Sequence, residues 1–318
     1  MTPLPPGVSR RHRIEYAALQ GLANVVRRLP QGAAIGFGNG VGRLAWWFDR
    51  RHRQITLDNL ARTFPERSVQ ERSRIARQVF KHFGRKLFEL LRFSGLPPER
   101  QLAAVEFVGV EHIERALAKG RGALIVTGHF GFWELHALAH GLRLGRMAVV
   151  ARALDNPLLD GMLEELRTST GNSVIDRKGG LRRILRALHS NQSVAVLIDQ
   201  HILTADAVRV EFLGRPAATT SAVAVLAMRT GAAVVPAFSL PLNDGRYRLI
   251  YEKALELPAD DSPEAIRDLT QRCTKMLEKY VRAHPELWLW MHRRWREDVR
   301  TTESLSLAMD DASGDAEA

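Results

Sequence analysis

Gly122-Ala-Leu-Ile-Val-Thr-Gly-His129-Phe-Gly-Phe-Trp-Glu134-Leu-His136 is the stretch from which the fold can be read. Its apolar run, Ala123 to Val126, has the length and continuity of a parallel-sheet strand buried on both faces. The run stops at Thr127-Gly128, and a helical pattern begins near Trp133 and continues through Leu135, Leu138 and Ala139. His129 and Glu134 therefore fall in a turn and the first helical residues at the carboxyl end of a strand, where open α/β sheets place ligands and catalysis. A histidine with a carboxylate five positions on can act as base and orienter, because imidazole titrates near neutral pH and the carboxylate fixes its tautomer. On a regular helix the two would stand about 140° apart, so the pairing requires His129 in the turn, which Gly128 and Gly131 permit. A histidine that merely caps the helix, with Glu134 favoured there by the helix dipole, fits the same residues.

Moving outward, strands and helices alternate from residue 105. Strands are expected at Ala123–Val126, Met147–Ala151, Ser173–Ile175, Val194–Ile198, Val208–Phe212, Ala233–Phe238 and Tyr247–Tyr251. Helices are expected at 111–118, 133–143, 157–170, 180–190 and 220–230, and from the Ser262-Pro263 cap to about 283. This is the pattern of an α/β domain with a mostly parallel sheet. Before residue 100 the sequence reads as helices only: two segments within 14–48 divided at Pro30-Gln-Gly32, a short one ending at Asn59–Pro65, and a long one. The long one opens at the capping box Ser68-Val-Gln-Glu71 and should bury Ile75, Val79, Phe83, Leu87, Leu90 and Leu91. Three regions result: a basic helical region over 1–100, an α/β domain over 101–300 and an acidic tail over 301–318 with too little to bury to fold.

The net charge of +11 is unevenly spread, with 19 Lys and Arg against 7 Asp and Glu in residues 1–100. Such a surface suits an anionic partner: phospholipid, nucleic acid or an acidic protein. No nucleic-acid-binding motif accompanies the arginines, so nucleic acid is not expected as a partner. Ala33–Phe48 is apolar and glycine-rich but shorter than the ~20 residues of a spanning helix. Its Trp46-Trp47-Phe48 end, followed by Arg50-Arg51-His52-Arg53, fits a helix lying at an anionic interface, and equally an ordinary amphipathic helix with a basic end. The single cysteine, Cys273, excludes an internal disulfide and sits in a helical pattern as a small core residue. The first residues mix prolines and arginines without an apolar core, so no signal peptide is expected.

Other residues carry candidate chemistry. Asp199-Gln200 ends the buried run Val194–Ile198, where a carboxylate is costly unless paired. It can hold an arginine, hold the substrate, or cap the loop. Gly214-Arg215-Pro216 precedes an expected helix near Thr219, whose N-terminal N–H groups would suit an anionic headgroup. A tight turn into a helix is the plainer account. His136 and His140 lie four apart, as in zinc-binding helices, but H-E-x-x-H is missing and no third ligand is evident. Trp288 to Trp295 is aromatic and basic, suited to a membrane interface or to packing on the sheet.

The ordered motifs resemble those of the bacterial lipid A biosynthesis acyltransferases, the lauroyl and myristoyl transferases, within the lysophospholipid acyltransferase superfamily. The likeness runs from about residue 15 to 297. It comprises Asp58-Asn59-Leu60 with Phe64-Pro65, Gly128-His129 through Glu134, Asp155-Asn156-Pro157-Leu158, Asp176-Arg177-Lys178 and Asp199-Gln200. Phe212-Leu-Gly-Arg-Pro216-Ala217 with Thr219-Thr220, and Glu286 to Trp295, complete it. The resemblance implies a glycerolipid acyltransferase-like fold with an N-terminal membrane-associating region, on the cytoplasmic face of a bacterial inner membrane. It also implies transfer of a fatty acyl group from acyl carrier protein, or acyl-CoA, to a hydroxyl of a lipid A precursor, with no cofactor and no metal. His129 would be the general base and Glu134 its orienting partner; Arg152, Asp199 and Arg215 would bind substrate. Many members have Tyr-Arg before the Asn-Pro segment, whereas this chain has Ala151-Arg152 and keeps only the charge. No G-x-S-x-G elbow is present, in keeping with direct transfer. Another acceptor (lysophospholipid, ornithine lipid or glycolipid) and a non-enzymatic basic binder of membrane or nucleic acid are the competing readings.

Overall fold

Long helices in this chain begin where a side chain can satisfy the N–H groups that lack a preceding turn. Ser68 accepts from Glu71 N–H while the Glu71 carboxylate accepts from Ser68 N–H, and α4 (Val69–Ser94) follows. Asp49 caps α3 (Arg50–Thr63), Asn156 caps α8 (Pro157–Thr168) and Ser262 caps α11 (Pro263–Ala283). The computed structural model describes residues 8–204 and 207–296. The acidic tail expected over 301–318 lies outside the described residues.

Ahead of the sheet come α1 (Arg10–Val26), α2 (Gln31–Phe48), α3, α4 and α5 (Pro98–Ala103). The strands and helices then alternate as β1 (Val105–Val108), α6 (Val110–Leu117), β2 (Ala123–Thr127), α7 (Trp133–Leu144), β3 (Met147–Ala151), α8 and β4 (Ser173–Asp176). There follow α9 (Leu181–His189), β5 (Ser193–Leu197), β6 (Ala207–Phe212), β7 (Arg215–Thr220), α10 (Ala222–Thr230), β8 (Ala233–Pro241), β9 (Tyr247–Tyr251) and α11. Seven strands form one sheet in the order β1-β9-β8-β2-β5-β3-β4, parallel throughout except for the β8–β9 pair. The mostly parallel α/β class is the one expected, and β2 lies at its centre.

Alternate β2 side chains feed two layers. Leu124 and Val126 join α9, α10 and α11 in one core cluster, whereas Ala123 and Ile125 join α6 and α7 in another. Cys273 is buried in the first of these. A third cluster ties the N-terminal helices to the site end of the sheet, through Trp46, Phe64 and Phe80 against Phe130, Phe238, Tyr280 and Trp290.

Two strands escape a sequence reading. β1 is a four-residue edge strand paired only with β9. β7 occupies residues assigned above to a helix start. It pairs antiparallel with β6 through the two-residue turn Leu213-Gly214, where both residues have positive φ. That is the twist of a type I′ hairpin, made here without the usual Asn-Gly signature. The helix begins only at Ala222, so Arg215 has no helix N-terminus beside it. Leu87 also departs from expectation, being 40% exposed. Steps of four residues advance 400°, so the three steps from Ile75 carry Leu87 about 120° around the helix.

The contact between α2 and α4 is made by glycines. A Cβ on Gly84 would stand 2.5 Å from Gly38 O and 2.5 Å from Gly42 N, and a Cβ on Gly42 would collide with Phe80 O. Gly36 and Gly40 on the same helix meet nothing within 4 Å. Close approach therefore uses one face of α2 and leaves Phe37, Val41, Leu44, Trp47 and Phe48 exposed on the other, Phe48 by 80%. Gly42→Leu or Gly84→Leu is expected to cost ~1–3 kcal/mol by overpacking. Gly36→Ala and Gly40→Ala should be neutral or stabilising. Thermal melts of the four variants check this, and equal melting of all four would contradict the crossing.

Candidate active site

Thr127 of β2 is in register with Leu197 of β5, so residues 129 and 199 emerge side by side two positions beyond the strand ends. Asp199 is buried, and its carboxylate is fully occupied by its surroundings. Oδ1 lies 2.8 Å from His129 Nδ1, while Oδ2 accepts from the His129 backbone N–H at 2.7 Å and from Trp288 Nε1–H at 2.8 Å. With Nδ1–H donated to Asp199, His129 Nε2 is left as the acceptor nitrogen, 3.4 Å from the Gln200 side-chain nitrogen. Burial alone would raise the Asp199 pKa; the charge and hydrogen bonds of His129, helped by His292, instead hold it well below the usual carboxylate range. Its contribution to stability is accordingly present above the ordinary carboxylate pKa of ~4 and is lost only as pH falls toward the lower folded value.

Glu134 has another partner. Arg167 of α8 grips its carboxylate with two bonds, 2.9 Å from Nε and 2.5 Å from Nη2, and Trp133 Nε1–H adds a third at 3.2 Å. Burial would raise the Glu134 pKa, but Arg167 pulls it below the ordinary value. The direct His129–Glu134 pairing expected from sequence is not made. The link is indirect: the Trp133 indole, fixed through Glu134, lies edge-to-face with the His129 ring at 5.0 Å. Lys86 of α4 lies over the same Trp133 indole, its Nζ without a hydrogen-bond partner. Burial lowers its pKa far below that of an exposed lysine, against the pull of Glu134 and Asp199.

The segment after α11 closes the site from the other side. Leu289 N–H donates to His129 O, and Gly131 N–H donates to Leu287 O. The His292 ring bridges Asp199 O at 3.0 Å and Leu289 O at 2.8 Å. Satisfying both carbonyls takes both ring N–H groups, a form that burial disfavours and Asp199 favours. Arg294, almost wholly buried, donates to Gln200 O, Ala218 O and Thr219 Oγ1. The membrane-interface reading of Trp288–Trp295 is corrected on this point, because Trp288 and Trp290 have no exposed surface.

Of the sequence candidates, His129 and Asp199 meet directly and Glu134 supports them through Trp133. Arg152 pairs with Asp155 on the surface, outside this cluster. Arg215 opens β7, its guanidinium 4.5 Å above the Trp295 ring. His136 and His140 are core residues packed against Tyr251, the His136 ring edge-to-face with it and His140 Nδ1 2.9 Å from its hydroxyl; burial takes both pKa values down to about 3. Arg167 and Lys86 had no role assigned from sequence, and Trp288 and His292 were read only as part of the aromatic and basic segment Trp288–Trp295. Only the strand order, which makes β5 the neighbour of β2, brings Asp199 forward as the partner of His129.

The sequence profile of the bacterial lipid A biosynthesis acyltransferases matches residues 8–297. The chain belongs to that family. It is 33% identical over 281 residues to the Escherichia coli lipid A biosynthesis lauroyltransferase, covering 87% of this chain and 89% of that protein. The E. coli lipid A biosynthesis palmitoleoyltransferase is 28% identical over 272 residues, 85% of this chain and 87% of its own length. A phosphatidylinositol mannoside acyltransferase of Mycobacterium tuberculosis is 28% identical over 233 residues, 72% of each chain. This member of the acyltransferase family is thus an acyltransferase, which sets aside the non-enzymatic reading.

Two carboxylates with different partners should fail differently. Asp199→Asn leaves three donors facing a single acceptor oxygen and loosens the His129 tautomer, so the activity of the folded enzyme is expected to fall about 10²–10⁴-fold, further than its loss of melting temperature accounts for. Glu134→Gln breaks a buried pair with Arg167 and is expected to cost roughly 3–5 kcal/mol of stability, so melting and activity should fall together. Parallel melts and rates distinguish the two, and a fully active Asp199→Asn enzyme would contradict the geometry.

Proposed function

We propose that the enzyme is an O-acyltransferase that moves a fatty acyl chain from an acyl thioester, carried on acyl carrier protein, to a hydroxyl of a lipid A precursor. The observation that carries this reading is the His129–Asp199 pair, with Nε2 facing outward at the carboxyl end of the central parallel strands. In the proposed reaction His129 Nε2 takes the proton of the acceptor hydroxyl as its oxygen attacks the thioester carbon. The tetrahedral intermediate collapses with loss of the thiolate, which recovers the proton from the imidazolium. Asp199 stays ionised throughout and stabilises the imidazolium. The Gln200 side-chain amide, beside Nε2, is a donor for the developing oxyanion. Glu134 acts at one remove, as the anchor of Trp133. Arg152 and Arg215 stand apart from this cluster, so a substrate role for them needs contacts formed only with ligand present.

Membrane association at the cytoplasmic face is the second part of the proposal. The exposed apolar stripe of α2 supports it, flanked by exposed Arg43, Arg50 and Arg51. Among the described residues no helix is long and apolar enough to cross a membrane. The proposed attachment is therefore a helix lying in the interface. A second acceptor reading, a glycosylated phosphoinositide, is favoured by the likeness to the mycobacterial phosphatidylinositol mannoside acyltransferase.

His129→Ala is expected to lower kcat at least 100-fold with the circular dichroism spectrum unchanged; a loss below about tenfold would rule out the general base. Mass spectrometry of total lipids from cells carrying this variant identifies the acceptor. A missing acyl chain on lipid A supports the main reading, and one missing from another glycolipid replaces the acceptor only. Trp47→Glu with Phe48→Glu should abolish flotation with anionic vesicles, and undiminished flotation would remove α2 from the interface.

A further inference from the structure

Downstream of β4, residues 177–189 hold five Arg or Lys and no Asp or Glu. Arg177, Lys178, Arg182 and Arg186 are exposed, and in their midst Leu181, the first residue of α9, is left 52% exposed. An apolar side chain ringed by cations is costly to leave in water and suits a partner surface that is acidic with an apolar centre. Arg182 and Arg186 lie four apart on one helix face. The nearest carboxylate in sequence, Asp176, is exposed at the edge of the patch and accepts from the Lys178 backbone N–H.

Position gives this patch a use. β4 is parallel to β2 and three places from it in the order β2-β5-β3-β4, so their carboxyl ends stand about 14 Å apart at ~4.8 Å per strand. The patch and His129 therefore lie on the same rim of the sheet, within reach of a flexible thioester arm. It is also on the side of the sheet away from α2. Ile184 and Leu188 of α9 enter the core cluster shared with α10 and α11, whereas α7 packs on the opposite face, in contact with α8 and α4. A bilayer touching the α2 stripe leaves this surface to a protein.

We propose that Leu181 with Arg177, Lys178, Arg182 and Arg186 is the docking surface for the acidic carrier protein that presents the acyl thioester. This rests on the reading of the donor as protein-borne, and it separates recognition of the carrier from recognition of the acyl chain. The arginines steer and hold the carrier, Leu181 fills its apolar centre, and the thioester crosses the rim to His129. None of these residues touches the catalytic cluster, so they affect encounter and not chemistry.

The test is steady-state transfer by the full-length enzyme from an acyl-loaded carrier protein and from acyl-CoA of the same chain length, comparing wild type with Arg182→Glu/Arg186→Glu and with Leu181→Ser. Both variants are expected to raise KM for the loaded carrier about tenfold or more, and to leave kcat at saturation and KM for acyl-CoA within about twofold. The charge-reversed variant should also lose most of the salt dependence of carrier KM. Unchanged carrier KM in both variants overturns the proposal. So does an equal loss with acyl-CoA, or loss of binding to anionic vesicles without carrier, which would make the patch a lipid contact. Wild-type enzyme that accepts acyl-CoA but neither uses nor binds the loaded carrier defeats the donor reading itself, and the proposal with it.

Discussion

One buried carboxylate organises the catalytic end of this molecule. Asp199 sits at a strand end without solvent, where an unpaired charge is untenable, and three donors answer it: the His129 backbone, the His129 ring and the Trp288 indole. They come from two distant parts of the chain. The strand β2 delivers the first two, and the segment after α11 delivers the third. Satisfying a single anion thus fixes the rotamer and tautomer of His129, the proposed base, and draws the C-terminal segment over the site. His292 and Arg294 extend the arrangement by holding the backbone carbonyls of Asp199 and Gln200.

Glu134 illustrates how spacing in sequence can point to the right neighbourhood and the wrong bond. Its position at the start of α7 satisfies the helix dipole and puts it close to His129. A carboxylate there has a choice of partners, and Arg167 outcompetes imidazole by offering two parallel N–H bonds and a permanent charge. His129 is then oriented by an anion on the neighbouring strand, while the Glu134–Arg167 pair sets the wall against which the imidazole stands. The two carboxylates divide the work: one faces the ring nitrogen, the other braces the indole.

Much of the fold was legible because its signals are local. Continuous apolar runs marked β2, β3, β5 and β8, and side-chain caps marked α4 and α11. β7 was lost because a Leu-Gly turn carries no common hairpin signature, and Arg215-Pro216 looks like the entry to a helix. At the site, His129 and Asp199 could each be singled out, but their meeting depends on strand order. β5 follows β2 only after two intervening strands in the chain, yet lies beside it in space. Arg167 and Lys86 are less legible still, since a cation on an amphipathic helix reads as solvent-facing until the neighbouring layer is known. The family likeness supplied the activity, which periodicity alone does not contain.

The glycine crossing of α2 and α4 has a mechanical side. Gly84 touches α2, His82 reaches Gly131 O, and Lys86 lies against Trp133, all within about one turn of α4. The thickness of a single helix separates the outer apolar stripe from the loop that carries His129. Where Gly38 and Gly42 meet Gly84 the two backbones touch directly, so that contact is stiff, and the turn of α4 behaves as a short strut. A load applied to the outside of α2 is therefore borne at the loop that carries His129 with little compliance between them, so whatever presses on the apolar stripe also bears on the alignment of the proposed base.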